Sequence, residues 1–232
     1  DGSAVITIAV GDNVLGEIAV VSAMYNPVRT TEEFLAMAER CIDQVCRTAV
    51  PRHCTGSFLL ERTEAGLKVG GTTLTLTGRD IAQLLQNSRR CILLAATLGP
   101  EVDALIRQRQ AQSMAEAVLC DAAATALIEC VCDEAEKTLA AGLARGERLT
   151  RRYSCGYGDL PLSLQPDFVR VLDTPRKIGL ACTPSLLLTP QKSVTAVLGI
   201  AKAPPQPRQA RCETCAFAAS CQMRKAGTHC GR

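Results

Sequence analysis

The sequence has few of the groups on which hydrolytic enzymes depend. Only 2 of its 232 residues are histidine, and aromatic residues make up 3%. It contains no Gly-x-Ser-x-Gly elbow, no phosphate-binding glycine loop followed by Lys-Ser/Thr, and no His-Glu-x-x-His helix. The sequence therefore offers few side chains for general acid–base or nucleophilic catalysis. The composition argues against a stand-alone hydrolase.

Other absences exclude further classes of protein. The formal net charge is only +3 and no dense basic run carries interleaved aromatics, which argues against nucleic-acid binding. No apolar stretch approaches the roughly 20 residues that span a bilayer, so no membrane association is expected. The first residues, Asp1-Gly2-Ser3, do not resemble a signal peptide, and we expect a cytoplasmic protein.

Cysteine, in contrast, is abundant, with 13 residues. Most of them lie inside apolar helix or strand patterns, where a free thiol behaves as a small hydrophobic residue; these are Cys41, Cys46, Cys91, Cys120, Cys130, Cys132 and Cys182. In a reducing compartment the remaining cluster indicates metal or redox chemistry before disulfides.

That cluster is the C-terminal tail, which follows a rigid Pro204-Pro205-Gln206-Pro207 linker. Four cysteines are spaced as C-x2-C-x5-C-x8-C: Cys212, Cys215, Cys221 and Cys230. Four thiolates suit either a 4Fe–4S cluster or structural zinc. Only one close C-x2-C pair is present, which favours iron–sulfur; zinc, or no metal, remains the alternative, and His229 could replace one ligand. We therefore divide the chain into residues 1–203 and a metal-binding segment, 204–232.

The hydrophobic periodicity predicts a mixed α+β domain without regular βαβ alternation. Predicted strands span residues 4–10, 57–62, 66–69, 72–76, 91–97, 178–183 and 193–200, with 91–97 as a buried central strand. Predicted helices begin after the Thr30/Glu33 capping box and end before Pro51, and then span 80–85, 101–110, 113–141 and 164–172. The 113–141 helix is expected to be central, with its carboxylates (Asp121, Glu129, Asp133, Glu134) on a solvated face or, less favoured, one of them reaching a ligand.

Residues 151–159 read Arg-Arg-Tyr-Ser-Cys-Gly-Tyr-Gly-Asp and stand out in a chain so poor in aromatics. Arginine forks, phenols and glycine-exposed backbone could together hold a flat heterocycle that bears a carboxylate. The alternative is a tight connection with its arginines in solvent. Cys155 likewise has two interpretations, a low-pKa thiolate beside the arginines or a small residue packed next to Gly156.

This segment resembles a known family. Residues 152–157 resemble the Arg-Pro-Ala-Pro-Gly-Tyr motif of the reactivation domain of cobalamin-dependent methionine synthase, and the likeness is greater to free-standing bacterial forms of that domain. Further matching segments follow in order through residue 200: Asp159-Leu160-Pro161-Leu162, Gln165, Ile178-Gly179-Leu180, Thr183-Pro184-Ser185 and Pro190-x-Lys192-Ser193-Val194-Thr195-Ala196. A looser likeness extends upstream through residues 95–99 and the long helix.

The resemblance implies a helix-rich, C-shaped α+β domain with a central antiparallel sheet. It also implies that the protein docks over the corrin of a cobalamin-binding methionine synthase subunit or another corrinoid protein, which carries the cobalamin. There S-adenosylmethionine and one electron would restore an oxidised cofactor. By the same resemblance, Arg152 would pair with the methionine carboxylate, Gly156 and Tyr157 would line the ligand site, and Ser154 and Cys155 would contribute backbone contacts.

Two departures from the family pattern shape the functional hypotheses. Pro-Ala-Pro has become Tyr153-Ser154-Cys155, and the linker and cysteine tail replace the family's aromatic closing segment. The first hypothesis is an accessory reactivation subunit, not a stand-alone enzyme, whose iron–sulfur cluster supplies the electron. The alternative is a non-catalytic corrinoid-protein partner with a structural zinc site. An unrelated small-molecule binding protein is the third.

Overall fold

A six-stranded antiparallel sheet forms the centre of the fold. The structure is a computed structural model that describes residues 32–202. The strands are β1 (Arg52–Thr63), β2 (Gly66–Val69), β3 (Thr75–Leu76), β4 (Ser88–Thr97), β5 (Arg148–Leu149), β6 (Ala181–Cys182), β7 (Leu188–Thr189) and β8 (Ser193–Ala201). The helices are α1 (Glu32–Thr48), α2 (Arg79–Leu84), α3 (Pro100–Gln112), α4 (Met114–Ala141), α5 (Gln165–Leu172) and α6 (Thr174–Ile178), with a 3-10 turn at Leu162–Leu164. The large sheet has the order β3-β2-β1-β4-β8-β5, and β6 and β7 form a separate ribbon.

Strand β4 is central, as its continuous apolar sequence predicts. Leu94 lies opposite Thr55 of β1 on one side and Ala196 of β8 on the other. Alternate β4 side chains enter two different cores: Leu94 packs with the helical layer, and Leu93 packs on the opposite face. Because both faces are covered, this strand has no polar side to present.

The helical layer on one face consists of α1, α3 and α4. Helix α1 packs through one apolar face, since Ala38, Cys41 and Val45 are buried in the same core as α4. Helix α4 begins at Met114, where the Ser113 side chain accepts a hydrogen bond from the Glu116 amide at 3.4 Å. No helix within the described range is both long and apolar enough to cross a membrane.

The opposite face is covered by shorter pieces: α2, α5, α6 and the segment around residue 153. The core on this side includes Tyr153 and Phe168, the two largest of its fully buried side chains. This is the face from which the predicted ligand loop emerges, so the loop rests on a packed core.

The predicted strand 178–183 is wrong in extent. Residues Thr174–Ile178 form helix α6, with Pro175 in its first turn and Gly179 at φ 72° as its C-cap. Only Ala181–Cys182 is extended. Proline at a helix start and left-handed glycine at its end are local helix signals, and they override the strand-like Ile-Gly-Leu pattern. Strand 72–76 is likewise shortened to Thr75–Leu76, because the Thr72 hydroxyl closes a turn by donating to the Val69 carbonyl at 2.7 Å.

The prediction that cysteines pack as hydrophobic core residues is confirmed for Cys41, Cys91, Cys120 and Cys132, which are buried, whereas Cys46, Cys130 and Cys182 are partly buried. Burial raises the pKa of Cys91, Cys120 and Cys132 to about 12, so each is a protonated thiol near neutral pH. The predicted strand 4–10, the capping residue Thr30 and the segment 204–232 lie outside the described residues.

His53 on β1 gives the domain a predicted pH dependence. Its Nδ1 is buried without a hydrogen-bond partner among residues 32–202, and burial lowers its pKa below the ordinary 6.5. The unfolded chain then binds this proton more readily, so stability should fall as the pH drops below about 6.5. Urea denaturation at pH 7.5 and 5.5 should show a smaller loss for His53→Gln than for the wild type. His229→Gln, which removes the other histidine, should behave as the wild type; an equal loss in all three proteins would contradict the assignment.

Candidate ligand loop and its supports

The candidate ligand loop consists of residues 151–159. Its first half continues the edge of the large sheet. Beyond β5, the Thr150 amide donates to the Gly199 carbonyl at 2.9 Å. Tyr153 then exchanges both backbone hydrogen bonds with Val197 of β8, at 3.0 and 2.9 Å. The backbone entering the loop is therefore held by the sheet.

The second half is a compact turn. The Gly156 amide donates to Leu160 at 2.9 Å, and the Tyr157 amide donates to Ser154 at 3.2 Å. Gly156 and Gly158 have φ of 82° and 55°, a region that residues with a Cβ rarely adopt. A Cβ on Gly158 would lie 2.2 Å from the Tyr153 hydroxyl. Here the glycine permits a close approach within the protein itself.

The loop side chains divide between core and solvent. Tyr153 is 1% exposed, whereas Tyr157 is 61% exposed. The two rings meet edge to face with centroids 5.3 Å apart, and the Arg151 guanidinium lies 5.6 Å from the Tyr153 ring centroid. Among the predicted ligand residues, Gly156 and Tyr157 are at the surface and Ser154 is half-buried.

Arg152 is turned toward α4 and is paired there. Its guanidinium contacts Glu129 at 2.8 Å, Asp133 at 2.7 Å and also Glu136. Burial alone would lower the pKa of Arg152, but the hydrogen bond to Asp133 and the surrounding negative charges outweigh it and raise the pKa. The side chain is thus a permanent cation within an acidic cluster, and a ligand carboxylate would compete with α4 for it.

The four α4 carboxylates named from the sequence lie on a solvated face, as predicted, with side-chain exposures between 43% and 56%, but each of them is also paired. Glu129 and Asp133 contact Arg152, and Asp121 pairs with Lys192 at 2.8 Å. Glu134 pairs with the exposed Lys137 of the same helix. The acidic residues of α4 therefore hold the segments that contain Arg152 and Lys192 against the helix.

Cys155 is a packed thiol. It is buried, and burial is the main reason that its pKa is raised to about 12. The low-pKa thiolate interpretation is therefore wrong, and the small-residue interpretation holds. Any contact of Cys155 with a ligand would have to come from its backbone.

Two carboxylates, those of Asp159 and Asp80, support the loop, a role that the sequence did not predict. The Asp159 carboxylate accepts hydrogen bonds from the backbone amides of Arg79, at 2.6 Å, and Asp80, at 3.2 Å. The Tyr153 hydroxyl lies 3.4 Å from the Asp80 carboxylate. Burial, followed by the charges of Asp80 and Asp159, raises the pKa of Tyr153 to about 12. The only sequence signal was Gly78, which leaves α2 without a capping side chain of its own.

The motif at residues 190–196 has a structural role, because its side chains hold the start of β8 against neighbouring elements. Lys192 reaches Asp121 and Thr125 of α4 at 2.8 and 2.9 Å. The Ser193 hydroxyl donates to the Pro190 carbonyl at 2.7 Å and lies 2.8 Å from the Thr97 hydroxyl. These contacts tie the start of β8 to β4 and α4.

Within residues 32–202, no group of three or more His, Cys, Asp or Glu side chains could hold a metal ion. The tail ligands Cys212, Cys215, Cys221 and Cys230 lie outside that range. The metal site therefore stays a prediction from the sequence.

Comparison with solved structures identifies the architecture. The chain is similar to the crystal structure of the MetH reactivation domain bound to AdoHcy, with a TM-score of 0.62 over 98% of this chain and 86% of that chain. It has the fold of the MetH reactivation domain. Identity is 15%, so the likeness concerns the fold, and the predicted class, α+β with a central antiparallel sheet, is confirmed. No protein-family model and no curated protein matches the sequence.

Proposed function

We propose that this protein is a reactivation subunit for a cobalamin-dependent methionine synthase or a related corrinoid methyltransferase. One observation carries the proposal: the chain has the fold of the MetH reactivation domain, which was crystallised with AdoHcy. The Arg-x-x-x-Gly-Tyr segment of this chain, which resembles that family's motif, agrees with it and ends in an exposed Tyr157. The protein would dock over the corrin of its partner and present S-adenosylmethionine there. It would act as an accessory subunit.

The residues of the loop fit that ligand in part. The exposed Tyr157 ring offers a flat face for an adenine, and its edge contact with Tyr153 limits its rotation. Gly156 lets a ligand approach the backbone. When bound, S-adenosylmethionine supplies the methyl group; the protein orients it. Arg152 fits the ligand less well, because its guanidinium is already ion-paired with carboxylates of α4, with which a ligand carboxylate would compete.

Tyr157→Ala should weaken the binding of S-adenosylhomocysteine by roughly tenfold, because stacking on an aromatic ring contributes about 1–3 kcal/mol per base. Folding stability should not change, since this side chain is 61% exposed. Isothermal titration calorimetry measures the affinity, and Tyr157→Phe, which keeps the ring, is the matched control. Equal affinities for wild type and Tyr157→Ala would remove Tyr157 from the site.

The tail would supply the electron. Four thiolates can hold a 4Fe–4S cluster, and such clusters span potentials of about −700 to +450 mV, which includes low-potential reductants. Protein purified without oxygen should contain about four iron atoms per chain and absorb visible light. Cys215→Ser should lose most of this iron, whereas Cys46→Ser, which changes a thiol outside the tail, should retain it. Stoichiometric zinc without visible absorbance would refute electron delivery.

The alternative function, a non-catalytic corrinoid-protein partner with structural zinc, has one observation in its favour. Arg152 is already paired with α4, so the loop could serve as a docking surface without a small ligand. Calorimetry separates the two functions: no heat with either S-adenosylmethionine or S-adenosylhomocysteine, together with zinc in the tail, would select the alternative.

A further inference from the structure

We infer that Asp159 is a positioning residue for the ligand loop, and that it acts by capping helix α2. The inference rests on the ligand role proposed above for the turn that carries Tyr157. Asp159 itself needs no contact with a ligand. Its effect would come from holding the exposed turn in one conformation.

The cap joins two segments that are distant in sequence. Asp159 accepts hydrogen bonds from the first amides of α2, including that of Arg79 at 2.6 Å across 80 residues. Initial helix amides lack partners within the helix, and a carboxylate satisfies them well. Gly78, at the N-cap, has no side chain to do so. A Cβ at Gly78 would lie 2.6 Å from Asp159 Oδ1, so the glycine leaves room for the incoming carboxylate.

The turn is thereby fixed at both ends. At its start, the Tyr153 backbone is bonded to Val197 of the sheet. At its end, Asp159 is bonded to α2. Gly158 passes so close to the Tyr153 hydroxyl and the Asp80 carboxylate that a Cβ would lie 2.2 and 2.8 Å from them. The exposed Tyr157 lies between these two attachments.

Loss of the second attachment should therefore loosen the turn without unfolding the sheet. Hydrogen exchange of two amides inside the turn measures this loosening. They are the Gly156 amide, which donates to the Leu160 carbonyl, and the Tyr157 amide, which donates to the Ser154 carbonyl. The Tyr153 amide, bonded to Val197, is an internal reference because it depends on the sheet. A residue that only stabilised the whole domain would change all three amides alike.

The test compares Asp159→Ala with Asp159→Asn, since asparagine caps a helix about as well as aspartate. In the full-length protein, Asp159→Ala should increase hydrogen exchange at the Gly156 and Tyr157 amides by about fivefold, the size expected for a lost cap. The Tyr153 amide should be unchanged. Asp159→Asn should exchange these amides as slowly as the wild type does. Asp43→Ala, which removes an exposed carboxylate paired within α1, is the distant control.

Ligand affinity provides the second readout. Asp159→Ala should weaken S-adenosylhomocysteine binding by about fivefold, for the same reason, and Asp159→Asn should bind as the wild type does. Unchanged exchange in Asp159→Ala, or equal effects of alanine and asparagine, would overturn the inference. If the wild type does not bind this ligand, the proposed function fails, while the exchange measurements still decide whether Asp159 positions the turn.

Discussion

Tyr153→Ala should lower the free energy of unfolding by about 3–5 kcal/mol, the range for removing a large aromatic side chain from a core. Tyr153 is 1% exposed and lies in the core between the sheet, α2 and α5. Its removal leaves a cavity and takes away the surface against which Tyr157 rests. Chemical denaturation followed by circular dichroism measures the loss.

Tyr153→Phe separates the ring from the hydroxyl. The hydroxyl makes only a long contact with Asp80, at 3.4 Å, so its removal should cost less than about 1 kcal/mol. A small loss in the alanine variant would show that the loop does not depend on a packed ring, whereas a large loss in the phenylalanine variant would assign the stability to the hydroxyl. The alanine variant should also lose ligand affinity, because Tyr157 then has no neighbour to fix its orientation.

Arg152→Ala should destabilise the protein by about 1–3 kcal/mol. Removing one member of a fully buried ion pair costs about 3–5 kcal/mol, but the Glu129 and Asp133 side chains are 49% and 52% exposed, and solvent screens such partners. The variant leaves the carboxylates of α4 without their shared cation. Added salt should therefore reduce the difference from the wild type, which denaturation at low and high ionic strength would show.

A second substitution distinguishes a structural from a ligand role of Arg152. In an Arg152→Ala background, Asp133→Asn removes part of the repulsion and should recover some stability, as a double-mutant cycle would quantify. If Arg152 also binds the ligand, affinity for S-adenosylhomocysteine should stay low in the double variant. Recovery of affinity together with stability would mean that Arg152 serves only to fasten the loop to α4.

Much of the fold could be predicted because its signals are local. Continuous apolar residues predicted β4, and the alanine-rich pattern predicted α4 within one residue at its start. The predicted strand 178–183 was wrong because so short an apolar run does not distinguish a strand from a helix end, whereas Pro175 and Gly179 do. The candidate loop was recognised from its unusual composition and its family motif.

The internal organisation of the loop could not be predicted in the same way. Nothing near Arg152 in sequence indicates that Glu129, Asp133 and Glu136 surround it. Nor does any local pattern place Asp159 on the first amides of α2. Long polar side chains have many possible partners, and the choice among them depends on which distant helix the fold brings alongside.

The sequence alone determined most of the helices and strands, which residues are apolar enough for the core, and which four tail cysteines could share a metal, because periodicity, propensity and spacing are properties of neighbouring residues. Only the tertiary structure decided that Tyr153 is in the core and Tyr157 at the surface, that Cys155 is a buried, protonated thiol, and that Arg152 is held by α4. Those outcomes follow from burial and from charge pairs between segments far apart in the chain, and they exist only once the sheet and helices have packed.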